Sequence, residues 1–240
     1  MSSSLTPGLR VLLADDQAVL RQGLKTVLRQ EGFDIVGEAS DGHTAIKVCR
    51  TLQPAVAILD IGMPLLNGID AAREIHKSCP HTKIILLTMH TEEFYVLASL
   101  RAGISGYVLK NGAFSNLLDA IKAVSKGEFY LSSGISGMIV QAFLSNVAPP
   151  SDPLSLRERQ VLQLIAEGKS MKEAGSVLGI SARTAETHRG RIMQKLNIFN
   201  IAGLVRYALR NGFVAEKEEE SQNSKISAKH NSHRRLSKRA

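Results

Sequence analysis

Carboxylates that follow two short apolar stretches are the residues whose type and spacing first indicate chemistry. Residues 11–14 lead into Asp15 and Asp16, and residues 56–59 lead into Asp60. Such runs are typical of strands buried in a parallel sheet, whose carboxyl ends share one rim. Two like charges ~4 Å apart repel by roughly 4 kcal/mol at an effective dielectric near 20. A hard cation with oxygen ligands offsets that repulsion, so the sequence predicts a Mg²⁺ site at this rim.

The elements that must position these carboxylates alternate between strand and helix. Strands are predicted at residues 10–14, 33–39, 56–60, 83–88 and 106–110. Amphipathic helices are predicted at residues 17–30, 42–51, 67–77, 92–102 and 114–125. This alternation indicates an α/β fold with a doubly wound parallel sheet. The sequence has no Gly-x-Gly-x-x-Gly fingerprint and no Walker lysine loop, so we expect no dinucleotide or nucleoside triphosphate site.

Two further polar side chains fall at the same predicted rim, because Thr88 ends the fourth strand and Lys110 ends the fifth. Each residue alone has an ordinary explanation. A single Thr or Lys at a strand end is common, and Asp16 precedes the first helix, where it could serve as its cap. The joint occurrence of all these residues at one rim favours a functional site.

The charge is divided unevenly along the 240 residues of the chain. Residues 1–150 carry 13 Lys and Arg against 13 Asp and Glu, whereas residues 151–214 carry 10 against 5. A neutral first part and a basic second part indicate that the second part meets a polyanion. A solvated basic face with no such partner would have the same composition.

The cysteines and the absence of signal-peptide and membrane-span patterns indicate the cellular compartment and the redox state of the protein. Cys49 and Cys79 lie in amphipathic helical stretches and are expected to be reduced core residues. The first residues lack the basic and apolar regions of a signal peptide, and no apolar run is long enough to span a bilayer. We therefore expect a cytoplasmic protein that does not cross a membrane.

The second half has a helical period, after a proline-rich boundary. Residues 127–153 are interpreted as a linker that can hold one short helix, residues 133–144. Four helices are predicted between residues 154 and 214, and three of them begin at the capping residues Ser155, Ser170 and Ser181. The second and third of these helices are spaced as a helix-turn-helix.

The third helix of this half has two distinct faces. One face holds Ala185, Arg189, Ile192 and Leu196, and the three apolar residues among them are predicted to be buried. Its outward face is predicted to hold Arg183, Thr187, Gly190, Arg191 and Gln194. Arg and Gln are suited to base edges in a DNA major groove, although the polar face of any surface helix would look similar.

Residues 215–240 are charged, rich in serine and nearly free of large apolar side chains. Such a segment cannot bury enough surface to order itself, so we expect a disordered basic tail.

The first half resembles the receiver domain of two-component response regulators, which have a flavodoxin-like fold of five strands and five helices. The residues that carry the resemblance are Asp15, Asp16, the run from Leu59 to Pro64, Gly68, Thr88 and Lys110. The resemblance implies that Asp60 is the phosphoacceptor. It also implies that Mg²⁺ is held by Asp15, Asp16, Asp60 and the backbone carbonyl of Gly62.

The same resemblance implies three switch residues. Thr88 would hydrogen-bond the phosphoryl group, and Lys110 would form an ion pair with it. Tyr107 matches the aromatic position that turns inward on activation.

The second half resembles the LuxR/NarL/FixJ-type DNA-binding domain. The resemblance is carried by residues 154–162, 166–168, 178–181, 184–188 and 195–196. The DNA-binding residues that it implies, together with the outward face described above, are Lys172, Arg183, Glu186, Thr187, Arg191, Gln194 and Lys195. Thr187 and Arg191 would then read bases, whereas Lys172 and Lys195 would mainly contact phosphates.

The second half departs from the family pattern at several positions. Glu186 stands where the family often has Lys, and Gly190 lies near another position that is frequently basic. Ala174 and Gly175 replace a larger Ile-Ala pair, which predicts looser packing of the preceding helix.

Both resemblances together imply a response regulator of the NarL/FixJ subfamily. The expected domains are a receiver at residues 9–126, the linker at 127–153, the helix-turn-helix domain at 154–214 and the tail at 215–240. The expected function is phosphorylation-dependent transcriptional regulation, with DNA, a sensor histidine kinase and a second copy of the chain as partners.

Two other functions remain open from the sequence. One is a regulator that binds DNA constitutively and uses its receiver only to dimerise. The other is an enzyme with an aspartate nucleophile, such as a phosphatase. An enzyme would need a substrate-binding cap or a further acidic motif, and residues 154–214 supply neither, so we expect no enzymatic activity.

Overall fold

The computed structural model describes residues 8–112, 114–135, 137 and 153–214. Its strands are β1 (Arg10–Ala14), β2 (Asp34–Ala39), β3 (Val56–Leu59), β4 (Lys83–Thr88), β5 (Gly106–Leu109) and β6 (Tyr130–Leu131). They form one sheet in the order β2-β1-β3-β4-β5-β6, and every pair is parallel. The first half therefore has the predicted α/β fold.

Five helices cover the two faces of this sheet. They are α1 (Ala18–Gln30), α2 (Gly42–Leu52), α3 (Gly68–Ser78), α4 (Glu93–Arg101) and α5 (Phe114–Ser125). The alternation of side chains along each strand supplies two cores. In β1, Leu12 packs in the core beneath α2, α3 and α4, whereas Val11 packs in the core beneath α1 and α5. Burial on both faces explains why these strands are continuously apolar in sequence.

A sixth strand lies within the segment interpreted as a linker. Tyr130 and Leu131 of β6 pair with Gly106 and Tyr107 of β5. A strand of two residues is too short to have a recognisable period, so sequence patterns could not reveal it. Residues 133–135 and 137 are helical, and the rest of the helix predicted up to residue 144 lies outside the described residues. The tail predicted at residues 215–240 also lies outside them.

Four helices build the second half as predicted. They are α6 (Leu156–Ala166), α7 (Met171–Leu178), α8 (Ala182–Leu196) and α9 (Ile201–Arg210). Both predicted capping boxes are present, and the side chain of Ser181 caps α8 by accepting from the backbone N of Thr184. None of the described helices has the length and apolarity needed to cross a lipid bilayer.

The small pair at positions 174 and 175 packs more tightly than expected. Ala174 is fully buried. A Cβ atom added to Gly175 would lie 2.8 Å from the carbonyl oxygen of Ile180 and 3.2 Å from the backbone N of Ala182. The expectation of looser packing is therefore wrong, because the turn before α8 comes close to α7 only where residue 175 has no side chain.

Candidate functional site

The three carboxylates predicted to meet do lie together at the carboxyl ends of β1 and β3. Ligand oxygens of Asp15, Asp16 and Asp60 are all within 4.8 Å of one another. The sheet register causes this, because Ala14 pairs with Leu59 and the backbone N of Asp60 donates to the carbonyl oxygen of Ala14 at 2.8 Å. Asp15 and Asp60 are buried and Asp16 is exposed.

Lys110 lies between two of these carboxylates. Its Nζ is 2.8 Å from Asp15 Oδ2 and 3.0 Å from Asp60 Oδ1, and its side chain is only 9% exposed. Although this ion pair is close, Asp15 Oδ2 has no partner of suitable hydrogen-bond geometry among the described residues. One lysine against three carboxylates leaves excess negative charge, and the donor set is all oxygen, so the cluster fits a hard divalent cation.

Burial changes how the groups of this site hold protons. Burial raises the pKa of Asp60 to about 6; the neighbouring Asp15 carboxylate also raises it, and Lys110 opposes the rise. Burial by itself would lower the pKa of Lys110, but the Asp60 and Asp15 carboxylates outweigh it and hold that pKa above its ordinary value. Lys110 is therefore a permanent cation, whereas Asp60 can change its charge near neutral pH.

The alternative in which Asp16 caps the first helix is wrong. The N-cap of α1 is Gln17, and no side chain caps that helix. Instead Asp15 Oδ1 accepts a hydrogen bond from the backbone N of Gln17 at 2.8 Å. The acidic pair is thus arranged around the rim and not around the helix end.

The loop after Asp60 is held tightly against it. The side chain of Asn67 caps α3 as predicted, by accepting from the backbone N of Asp70 at 2.8 Å. A Cβ atom added to Gly68 would lie 2.0 Å from the carbonyl oxygen of Asp60. Gly68 is therefore needed for the close approach of α3 to the strand end. The loop that results carries Gly62, whose carbonyl is the predicted fourth metal ligand.

Thr88 and Tyr107 are both hydrogen-bonded to the backbone of one residue, His90, in the turn after β4. Thr88 Oγ1 accepts a hydrogen bond from the backbone N of His90 at 3.1 Å, and Tyr107 Oη donates to the carbonyl oxygen of His90 at 2.9 Å. Both side chains are fully buried. The Tyr107 ring already lies inside, so the inward turn implied for activation is present in this structure, and its role as a switch stays a prediction.

The two faces of α8 largely follow the sequence expectation. The exposed residues of the predicted outward face are Arg183, Thr187, Gly190, Arg191 and Gln194. On the inward face Ala185 and Ile192 are fully buried. Leu196, the third apolar residue expected to be buried, is only partly buried, and Arg189 forms an ion pair with Glu186 at 2.7 Å.

Two lysines expected at phosphates have different surroundings. Lys172 is exposed near the start of α7. Lys195 Nζ lies 2.7 Å from Oε2 of the buried Glu158 in the capping box of α6. Lys195 therefore fastens α8 to α6, and any contact with a phosphate would compete with this ion pair.

Comparisons with known proteins agree with both halves of this arrangement. A family model described as the response regulator receiver domain matches residues 11–122. A second model, described as bacterial regulatory proteins of the luxR family, matches residues 152–208. The transcriptional regulatory protein MctR of Rhizobium johnstonii is 38% identical over 211 residues, covering 88% of this chain and 97% of that protein. The chain belongs to the LuxR-type response regulators.

Other members of this family are similar over nearly their whole length. The response regulator UvrY of Escherichia coli is 36% identical over 220 residues, covering 89% of this chain and all of that protein. A solved structure of the RcsB response regulator of Salmonella typhimurium has a TM-score of 0.60 at 30% identity and covers 86% of this chain and 99% of that one. This chain is therefore a response regulator that combines a receiver domain with a LuxR-type DNA-binding domain.

Sequence reasoning missed functional candidates on two helices. Arg21 of α1 donates from Nη1 to the carbonyl oxygen of Asp15 at 2.6 Å and so supports the acidic rim. On α6, Arg159 and Gln163 are buried against the receiver. The available signal was that Gln160, Gln163 and Glu167 recur at helical spacing on one face of α6, where a solvent-facing stripe was the simpler explanation.

Proposed function

We propose that this chain is a transcriptional regulator that is switched by phosphorylation of Asp60, with a sensor histidine kinase or a small phosphodonor as the source. The observation that carries the proposal is the cluster of Asp15, Asp16 and Asp60 around Lys110 at the rim. A carboxylate that attacks a phosphoryl group needs positioning and charge stabilisation more than covalent help.

Mg²⁺ is the cofactor that this donor set fits. Asp15, Asp16, Asp60 and the carbonyl of Gly62 would hold it. When bound, the metal would neutralise charge that develops on the phosphoryl oxygens. Lys110 already lies within ion-pair distance of Asp60, so it can stabilise the same charge from the protein side. Thr88, at the end of β4, would offer its hydroxyl proton, since the hydrogen bond from His90 uses only its oxygen as acceptor.

DNA is the proposed partner of the second half. The exposed face of α8 presents Arg183, Thr187, Arg191 and Gln194, which suits a major groove. Lys172 and Lys195 are exposed and are the candidates for phosphate contacts. Glu186 is tied to Arg189 and is proposed to limit phosphate attraction locally. A solved relative is described as two RcsB dimers bound to two parallel DNAs. That description supports a homodimer on DNA as the working form.

A constitutive DNA binder is the second candidate. It is favoured by the exposure of the α8 outward face in this structure. In that case the receiver would only bring two copies together.

Gel-shift titration against genomic sites selected from a pull-down separates these functions. Wild type and Asp60→Asn are compared with and without Mg²⁺ and phosphoramidate. We expect tighter binding of wild type to a two-half-site operator with the phosphodonor, and no response from Asp60→Asn. Equal responses of both proteins would place the switch elsewhere, and equal binding without any response would favour the constitutive binder.

A further inference from the structure

Arg21 of α1 holds the peptide that joins the two adjacent carboxylates of the rim. Its Nη1 donates to the carbonyl oxygen of Asp15 at 2.6 Å, and that carbonyl belongs to the peptide between Asp15 and Asp16. The backbone N of Asp15 is fixed as well, because it donates to the carbonyl oxygen of Ala39 in β2 at 3.1 Å. Arg21 therefore contacts the chain at the point that sets the direction of both acidic side chains.

Glu38, near the end of the edge strand β2, holds Arg21 in turn. Its Oε2 lies 3.4 Å from Arg21 Nε in an ion pair. The same carboxylate accepts a hydrogen bond from Nε2 of Gln22 at 2.9 Å and forms an ion pair with Nζ of Lys25. The hydrogen bond and charge of Lys25, with the charge of Arg21, hold the pKa of Glu38 below its ordinary value although burial opposes them. One ionised carboxylate on β2 thus meets three polar side chains on α1.

Polar contacts of this kind are needed because α1 buries few apolar side chains. Among its 13 residues only Leu28, in the last turn, is buried. Leu20 and Leu24 are partly buried, and Val19 is 88% exposed. The helix also begins without a side-chain cap. The position of its first turns relative to the acidic rim therefore depends strongly on the polar contacts with β2 and with the backbone of Asp15.

The Arg21 side chain also occupies space beside the rim. With Asp15 and Asp60 it lines a small cavity next to the acidic cluster. The side chain itself is only 16% exposed. Truncation at position 21 would enlarge that cavity and would also remove the donor to the Asp15 carbonyl, so the peptide between Asp15 and Asp16 would lose its fixed orientation.

From these contacts we infer that Arg21 and Glu38 are positioning residues for the Mg²⁺ ligands of the rim. Glu38 orients Arg21, and Arg21 orients the peptide that carries the carboxylates of Asp15 and Asp16. This role rests on the proposed function, which makes Mg²⁺ the ion that the rim binds. Removing a group that orients metal ligands from outside the ligand set typically weakens metal binding by about 10–100-fold.

Charge and geometry predict opposite effects of losing Arg21. The guanidinium group is a cation beside three carboxylates, so by charge alone its removal would strengthen Mg²⁺ binding. Loss of a positioning residue weakens binding instead, because the carboxylates of Asp15 and Asp16 are no longer directed at one place. The direction of the change in Mg²⁺ affinity therefore distinguishes the two roles.

Mg²⁺ titration of the full-length protein, followed by NMR without a phosphodonor, measures the dissociation constant. We expect Arg21→Ala to raise that constant about tenfold and Glu38→Gln to raise it about threefold or more. The double variant should bind no more weakly than Arg21→Ala alone, because Glu38 acts through Arg21. Arg29→Ala and Glu31→Gln remove the same charges at exposed positions at the end of α1 and should stay within about twofold of wild type.

The Mg²⁺ dependence of phosphorylation gives a second readout that a general loss of stability would not produce. With phosphoramidate as the donor, Arg21→Ala should need about tenfold more Mg²⁺ for its half-maximal rate, while the maximal rate falls by less than about threefold. Arg21→Lys should restore part of the Mg²⁺ affinity, since an ammonium group can still donate to the Asp15 carbonyl oxygen. Glu38→Gln keeps the size of its side chain, so it tests the same role if Arg21→Ala does not fold.

Unchanged or stronger Mg²⁺ binding by Arg21→Ala would overturn the positioning role of Arg21. A double variant that binds much more weakly than Arg21→Ala would overturn the action of Glu38 through Arg21. Failure of the proposed function looks different, because the wild type would then bind no Mg²⁺, or Asp16→Asn would bind it as the wild type does. If Asp16→Asn loses Mg²⁺ and Arg21→Ala binds it normally, only the role of Arg21 is overturned.

Discussion

At the scale of single residues, burial decides how the Asp60 carboxyl behaves. The group is 6% exposed, and its pKa is about 6 against an ordinary value of 3.8. Under the proposed function, its ionised form would be needed both for metal binding and for attack on a phosphoryl group. Burial therefore disfavours the charge of this carboxylate, and Lys110 offsets part of the cost.

The first prediction concerns the pH dependence of stability. The folded-state pKa of Asp60 lies above its unfolded value, so the folded chain binds more protons between pH 3.8 and about 6. Its contribution to the free energy of unfolding thus falls as pH rises through that window, by at most about 3 kcal/mol. We expect Asp60→Asn to be more stable than wild type at pH ~8 in EDTA, with a smaller difference near pH ~5.

Urea unfolding at the two pH values measures this difference. Asp119→Asn, at an exposed carboxylate on α5, controls for the loss of one negative charge and should show little change at either pH. An Asp60→Asn variant that is less stable than wild type at the higher pH would contradict the burial argument.

The second prediction concerns Asp16, the exposed member of the acidic cluster. Removing its charge should sharply lower Mg²⁺ affinity and phosphorylation, while the fold survives because Asp16 caps no helix. Mg²⁺ titration by NMR and a phosphoryl-transfer assay on Asp16→Asn measure the two effects. Undiminished phosphorylation of this variant would remove Asp16 from the metal site.

At the scale of elements, two glycines in helices of the DNA-binding domain play opposite parts. Gly175 of α7 allows the turn before α8 to approach, whereas a Cβ atom at Gly190 of α8 would meet open space. A glycine inside a helix costs about 0.5–1 kcal/mol relative to alanine when nothing requires it. The two positions differ in that Gly175 closely approaches the turn at Ile180, whereas Gly190 has no such neighbour.

The third prediction uses this pair. Gly175→Ala should lower the free energy of unfolding by roughly 1–3 kcal/mol, because the methyl group overlaps the Ile180 carbonyl. Gly190→Ala should raise that free energy by up to about 1 kcal/mol. Thermal or urea unfolding of the two variants gives both values, and equal effects would mean that the turn can move away from Gly175 freely.

The fourth prediction concerns the direction in which α8 faces DNA. Arg191→Ala should lower the binding free energy by ~1–3 kcal/mol and relax the base preference at one base pair of the operator. Lys172→Ala should weaken binding to all DNA sequences alike and reduce by about one the slope of log affinity against log salt concentration. Lys195→Ala should have a mixed effect, because it also removes the ion pair with Glu158. Arg210→Ala, at an exposed position at the end of α9, controls for charge.

Binding of this panel to a set of single-base variants of the operator measures these effects. If Arg191→Ala and Lys172→Ala change affinity identically at every base pair, then α8 is oriented differently on DNA.

At the scale of the whole molecule, the proposed phosphoryl site would have to act on distant surfaces. Moving a population from 1:99 to 99:1 in favour of the active state requires a bias of ~5.5 kcal/mol. His90 is placed to transmit part of that bias, because its backbone N–H donates to Thr88, its carbonyl oxygen accepts from Tyr107 and its ring stacks on Tyr95. A change at Thr88 therefore reaches the face built by α4, β5 and α5.

The fifth prediction separates acceptance of phosphate from the response to it. Thr88→Ala should be phosphorylated, since Asp60 and Lys110 are intact, yet it should dimerise and bind a two-half-site operator only weakly. Sedimentation and gel-shift titration with phosphoramidate and Mg²⁺ follow both steps. A full response of this variant would exclude Thr88 from the switch.

Local sequence determined most of the elements and their polarity. The apolar runs that end at Asp15, Asp60 and Thr88 predict buried parallel strands, because a strand buried on both faces must be apolar throughout. Serines predicted the starts of α6, α7 and α8, because a serine oxygen can accept a hydrogen bond from an otherwise unpaired backbone N–H in the first turn of a helix. Joint placement of the acidic residues at one rim follows from the parallel order alone.

Only the tertiary structure decided which surfaces of these elements are used. Gln163 has the sequence appearance of a solvent-facing residue, and its burial depends on a loop some hundred positions away that no local period encodes. Gly175 looked like a packing defect until the turn at Ile180 was placed against it. Contacts between residues far apart in the sequence depend on the packing of the whole fold, which is the sum of many weak interactions. Strands, helix caps and the residues at strand ends depend mainly on residues nearby in the chain.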